Sequence, residues 1–104
     1  MIRVVYRWRM DEERQEHYAR WWHEGTLRIR DANPGALGSI LCRSTSDSAL
    51  MVGIARWESR SYLERFWERT GKIEFAGATM EAIEILDELD DLTIGPRGPA
   101  RPSV

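Results

Sequence analysis

The aromatic side chains give the first chemical signal in this sequence. Trp8, Trp21, Trp22, Trp57 and Trp67 are five indoles in 104 residues. A core of this size needs few such rings, so they are expected either to wall a cavity or to bury at an interface. Each indole offers a flat π face and one N–H donor that needs a partner when buried. Trp57 is the first candidate, because a substrate oxygen can be that partner. Tyr6 places a hydroxyl on the same wall and is expected to hydrogen-bond the same oxygen. His17 and His23 are the only histidines. Six residues apart on a helix they project about 120° from each other, so they share no metal. His23 flanks Trp22 and has a pKa suited to general-base work at neutral pH. Trp57, Tyr6 and His23 are thus the catalytic candidates. Trp8, Trp22, Cys42, Gly53, Tyr62, Phe66 and Trp67 are expected to bind or wall a substrate, with Trp21 at a flank. Gly53, between Met51 and Ala55, leaves volume in that wall. Cys42 is expected to face inward from its strand as an apolar thiol.

Other chemistries lack their residues. There is no Gly-rich phosphate loop, no catalytic carboxylate pair and no His/Cys set at metal spacing. One cysteine makes neither an internal disulfide nor a thiolate metal site. Seventeen acidic residues against fifteen basic ones leave a formal charge of −2, which gives no pull toward nucleic acid. The apolar runs are far short of a membrane span, and the N-terminus alternates arginine with apolar residues where a signal peptide would carry an apolar block. The expectation is a cytoplasmic protein with no cofactor, no nucleic acid and no membrane partner.

The elements that position these residues follow from period and punctuation. Residues 2–10 alternate, with Ile2, Val4, Tyr6, Trp8 and Met10 on one face, and read as a strand. Asp11 is the expected N-cap of a helix to about Ala32, with Glu12 and Glu13 at its positive end. Its stripe is Tyr18, Trp22, Gly25 and Ile29, with Ala19 and Thr26 alongside. Asn33-Pro34-Gly35 stops it. Residues 37–43 and 49–57 read as strands joined by the polar loop 44–48. Ser59 caps a second helix from Arg60 to about Arg69, ended by Gly71. Residues 72–80 are ambiguous, with a short helix as one reading, and 82–90 reads as a last strand. Residues 1–94 form one domain, and the Pro/Gly-rich stretch 95–104 is an expected mobile tail or extended arm.

The order β-α-β-β-α-β with right-handed crossovers is the ferredoxin-like α+β plan, a four-stranded antiparallel sheet with both helices on one face. Ile2, Val4, Tyr6, Trp8, Met51, Ala55, Trp57, Ile83 and Ile85 are expected to face the helices. Val5, Leu37, Leu41, Leu50, Val52, Ile54 and Leu86 are expected on the other side, with Arg3, Arg7, Arg9, Arg43 and Arg56 beside Glu84 and Glu88. An apolar side of this size is rarely left wet. A second sheet packed on it gives a symmetric homodimer, with cross-strand Arg–Glu pairs at the rim.

Three segments then carry a resemblance. Pro34-Gly35-Ala36-Leu37-Gly38 precedes the second strand. Ala55-Arg56-Trp57-Glu58-Ser59 closes the third, and Tyr62-Leu63-Glu64-Arg65-Phe66-Trp67 follows. Over roughly residues 2–92 the chain resembles the antibiotic biosynthesis monooxygenases, a family of dimeric α+β barrels. The resemblance implies a pocket between sheet and helices in each protomer. It also implies one of several activities: cofactor-independent oxidation of phenolic polyketides or quinols to quinones, or haem degradation. The haem-degrading branch carries a first-strand Asn, a Trp closing the third strand and a His ten residues after it. Here Trp57 matches, Tyr6 and Arg7 stand on the first strand, and Trp67 takes the histidine position. The quinone-forming branch aligns without gaps over 42–62, but its strand-two Tyr and strand-three Asn fall at Cys42 and Gly53. The leading expectation is a cofactor-independent monooxygenase acting on a phenolic or polycyclic, polyketide-like aromatic. A cyclase or isomerase of such a compound, or a non-catalytic binding or stress-related dimer, are the alternatives.

Overall fold

A computed structural model describes residues 1–71 and 73–93. The expected tail, 95–104, lies outside the described residues. Six elements follow in order: β1 Ile2–Met10, α1 Glu12–Ala32, β2 Ala36–Arg43, β3 Leu50–Trp57, α2 Arg60–Thr70 and β4 Ala78–Asp87. The strands form one antiparallel sheet in the order β2-β3-β1-β4. This is the βαββαβ layout that the sequence order predicts. Among the described residues no helix is long and apolar enough to cross a membrane.

The alternation of β1 builds the core. Ile2, Val4, Tyr6, Trp8 and Met10 are all buried on the helix side and pack with Tyr18 of α1, Leu63 and Phe66 of α2, and Met51 and Trp57 of β3. Fully burying side chains of this size stabilises by about 1.5–3 kcal/mol each, which ties both helices to the central strand.

Local chemistry sets the helix ends. The Ser59 hydroxyl accepts from the Tyr62 backbone N–H, and Gly71 at φ 69° closes α2 with its N–H on the Trp67 carbonyl. Asp11 precedes α1 without a side-chain cap bond. Pro34 holds Asn33 extended at φ −127°, and Asn33 ends α1 with its N–H on the Ile29 carbonyl. Gly35 then turns at φ 90°. Its carbonyl accepts from the Glu58 N–H at 2.9 Å, and a Cβ there would lie 2.5 Å from the Tyr62 ring. The Pro-Gly turn and the Trp-Glu-Ser segment are therefore one joint, with Tyr62 seated on the glycine.

The structure departs from a regular alternating pattern at four points. The pairing of β2 with β3 slips between Ala36 and Ser39: Ala36 stands opposite Trp57 and Ser39 opposite Ala55. One residue is extra, and Gly38 at φ 104° absorbs it as a bulge. Beyond the bulge every side chain changes face. Leu41 and Arg43 lie on the helix side, where Arg43 donates to the Gln15 amide oxygen. Cys42, opposite Val52, lies exposed on the helix-free side instead of facing inward. Second, residues 73–77 form no helix, and β4 starts at Ala78, earlier than the apolar alternation indicates. Third, β4 has its own register shift, opposite Arg7 and Trp8. Fourth, Ile83 stands opposite Tyr6 yet remains 47% exposed, because β4 is the open edge of the sheet.

The helix-free side carries Val5, Ile40, Val52, Ile54 and Leu86, of which Ile40 is 57% exposed. Arg3 and Arg56 on this side both reach Glu88, and Arg3 also reaches Asp91. At the other end Arg9 joins Asp47 and Glu81.

Candidate active site

A cavity of about 490 Å³ opens between the sheet and the helices. Its floor is Tyr6 of β1 with Ala55 and Trp57 of β3; Trp21, Trp22, Gly25 and Thr26 of α1 and Phe66 of α2 stand over it. The wall is mostly apolar and aromatic, the composition expected of a site for a flat small molecule. Tyr6 meets Trp22 edge-on, with ring centroids 5.7 Å apart. Trp57 packs on Phe66 at 5.3 Å.

Two hydroxyl features stand among the rings, and Arg28, Arg30, Asn33, Arg56, Thr70 and Glu74 add further polar groups to the lining. The Tyr6 hydroxyl accepts a hydrogen bond from the Trp67 indole, and burial, only partly offset by that bond, raises its pKa above the ordinary tyrosine value. Tyr6 thus stays protonated at neutral pH and acts as a hydrogen-bond donor. The second feature is a hydroxyl pair. Trp22 Nε1 donates to Ser39 Oγ at 2.8 Å, and Ser39 Oγ lies 2.8 Å from Thr26 Oγ1. Whichever hydroxyl donates within the pair, one O–H hydrogen is left over. Thr26 and Ser39 both line the cavity, so that hydrogen is available to a bound oxygen.

The expected site residues divide. Tyr6, Trp57, Trp22 and Phe66 come together in the wall, and Trp67 stands behind Tyr6. Gly53 lies beneath Trp22: a Cβ there would fall 2.5 Å from Trp22 Cζ2. The glycine admits the indole and does not itself leave an open space. Trp8 is 1% exposed and covered by Tyr18 and Trp21, at centroid distances of 5.4 and 6.1 Å, so it belongs to the core. Tyr62 belongs to the Gly35 joint. Cys42 is on the far side of the sheet. His23 is exposed on α1 and is not part of the wall. Trp21, expected at a flank, lines the cavity and packs on Phe75 at 5.1 Å.

The sequence reading missed Ser39 because the bulge reverses its face. It noted Thr26 only as a neighbour of the helix stripe, without a partner. A hydroxyl on a helix stripe facing a Gly-Ser strand entry was the available signal.

A ferredoxin-like sheet with an aromatic cavity beneath its helices defines a class of small-molecule α+β proteins. The profile of the antibiotic biosynthesis monooxygenases matches residues 1–72, and the chain belongs to that family. Several solved structures share the fold. A heme-degrader, MhuD, from Mycobacterium tuberculosis superposes with a TM-score of 0.70 at 14% identity, over 88% of this chain and 99% of that one. The cofactor-independent oxygenase SnoaB from Streptomyces nogalater gives 0.64 at 18% identity, over 89% and 97%. A search of curated protein sequences finds no match.

The residues present do not fit a haem. Haem iron is most often held by an imidazole, and neither His17 nor His23 lines the cavity. Trp67 stands ten residues after Trp57, where the haem-degrading branch has its His. The phenol of the wall, Tyr6, is held protonated by burial, which opposes the phenolate that iron would need. Among the described residues no cluster of three His, Cys, Asp or Glu side chains could hold a metal ion.

Proposed function

We propose that the protein is a cofactor-independent monooxygenase that oxidises a phenolic or polycyclic, polyketide-like aromatic to a quinone. The observation that carries this reading is the aromatic cavity with two O–H donors, Tyr6 and the Ser39–Thr26 pair, among its rings. Family membership supports the same activity class.

The chemistry needs little more than such a wall. An electron-rich phenol bound with its oxygen at the donors is stabilised as its anion, since hydrogen bonds to a charged form favour it. The proton leaves to solvent through the open mouth, and His23, away from the wall, takes no part. The phenolate passes one electron to dioxygen. The radical pair recombines to a hydroperoxide, which loses water. For a methylene flanked by two aryl rings the balance is R2CH2 + O2 → R2CO + H2O: four electrons leave the carbon, one oxygen atom enters the product and the other leaves as water. Trp57, Trp22 and Phe66 hold the ring plane and exclude water.

The working unit is a homodimer through the helix-free side of the sheet, whose exposed Ile40, Leu37 and Leu86 support that packing.

Oxygen uptake with a hydroxyanthrone, in metal-chelated and flavin-free buffer, tests the reading. One mole of dioxygen consumed per mole of quinone is expected. Conversion of the substrate to an isomer or a dehydrated, ring-closed product at an unchanged oxidation level, equally fast under strict anaerobiosis, assigns the protein as a cyclase or isomerase and overturns the oxygenase.

A further inference from the structure

The mouth of the cavity carries charge that the oxidation does not use. Arg28 and Arg30 of α1 both line it. Two residues apart on a helix, their side chains leave in nearly opposite directions, so they approach the cavity past different glycines. Arg28 Nη2 lies 4.0 Å from where a Gly25 Cβ would stand, and Arg30 Nε lies 3.8 Å from the same point at Gly38. Both glycines are part of the cavity wall, so a missing side chain opens each guanidinium's path along the rim.

Arg3, Arg9, Arg20, Arg56 and Arg60 all form ion pairs. Of the other arginines, Arg43, Arg65 and Arg69 donate to neutral oxygens of the chain, and Arg7 and Arg14 form no ion pair with the described residues. Arg28 and Arg30 form none with the described residues. Arg56 also borders the cavity, but Glu88 on the far side of the sheet holds its guanidinium. The carboxylate of the cavity wall, Glu74, has an interaction of its own. Two uncommitted cations therefore flank an aromatic slot, next to the hydroxyl pair that keeps one hydrogen to donate.

Resting on the reading of the cavity as an aromatic-binding site, we infer that its ligand is an aromatic acid. The ring system lies among Tyr6, Trp22 and Trp57. A carboxylate on its edge meets Arg28 and Arg30 at the mouth. A guanidinium suits a carboxylate through its planar array of donors, and a positively charged mouth raises the encounter rate with anions. The charge selects the substrate, and the donors deeper in the cavity act on the phenol.

The test is a titration of intrinsic tryptophan fluorescence with two probes of nearly equal shape, anthraquinone-2-carboxylate and anthraquinone-2-carboxamide. It uses the full chain and the double variant Arg28→Gln, Arg30→Gln, whose exposed positions leave the core untouched. The carboxylate is expected to bind the native protein about tenfold more tightly than the amide, the size set by two solvent-exposed charge pairs. The preference shrinks as salt is added and disappears in the double variant, where the amide binds as before. Equal affinity of both probes for the native protein overturns the inference and leaves the aromatic cavity standing. A preference that survives in the double variant also overturns it. Absence of quenching by either probe overturns this inference together with the reading on which it rests.

Discussion

Tyr6 links core and cavity in a single side chain. Its ring is buried between Trp22 and the sheet, and its hydroxyl takes one hydrogen bond from Trp67 and keeps its own hydrogen to give. Because burial raises the pKa, the group donates across the whole neutral range. In the Tyr6→Phe variant the ring contacts remain and the donor is gone. Removing one donor aimed at a developing oxyanion costs about 10²-fold in turnover. That fall in kcat for oxygen uptake is expected with little change in melting temperature, and steady-state assays beside a thermal melt check it. An unchanged kcat places the reacting oxygen at the Ser39–Thr26 pair. Tyr6 and Trp57 were legible because alternation on a strand fixes a face. His23 was legible only as a residue type: its helix turns it to solvent, and neutral pKa chemistry without position makes no base.

Between α1 and β3 the contact rests on one missing side chain. Gly53 stands opposite Tyr6 on one neighbour strand and Leu41 on the other, and the Trp22 indole lies directly on it. A β-carbon at Gly53 has to displace the ring, since Cζ2 would be 2.5 Å away. Overpacking of this kind costs about 1–3 kcal/mol. Trp22 lines the cavity, so a displaced indole changes its wall. Gly53→Ala is therefore expected to lower stability by that amount in urea, to shift tryptophan emission and to weaken quenching by an aromatic probe. A variant that binds the probe as the native chain does places the cavity elsewhere. The same region shows what sequence reading can and cannot reach. Periods of 2 and 3.6, the Ser59 cap and the Gly35 and Gly71 turns give every element, because each is a local property, except that both ends of β4 lie earlier than expected. The face of Cys42, Leu41 and Arg43 is not local. It depends on one extra residue at Gly38, and a glycine in a strand is compatible with both a straight run and a bulge. Residues 73–77 were ambiguous for a related reason: Ile73 and Phe75 pack on rings from α1 and the core, and no period marks that contact.

At the scale of the whole molecule the helix-free side of the sheet combines an ion cluster with an apolar patch. Hydrogen bonds and charge from Arg56 and Arg3 hold the Glu88 carboxylate down to about 2, against 4.5 for a free glutamate. A group whose folded pKa lies below its unfolded one stabilises the fold above the unfolded value and loses that contribution as pH falls toward the folded one. Stability is therefore expected to drop between about pH 4.5 and pH 2, and Glu88→Gln is expected to flatten that part of the profile while lowering stability at neutral pH; chemical denaturation at a series of pH values measures both. The patch beside the cluster is where the proposed dimer packs. Ile40 stands opposite Ile54 on adjacent strands, with Val52 and Val5 alongside. Covering the exposed part of Ile40 with a second sheet gains at most about 1.5–3 kcal/mol, and two sheets packed about a two-fold axis count it twice. A glutamate at position 40 places two like charges in that contact without touching the helix-side core. Ile40→Glu is expected to sediment as a folded monomer with an unchanged far-ultraviolet spectrum, and the native chain is expected to sediment as a dimer. Native protein that sediments as a monomer removes the sheet-packing argument, and the cavity, built within one protomer, is then expected to retain its ligand affinity.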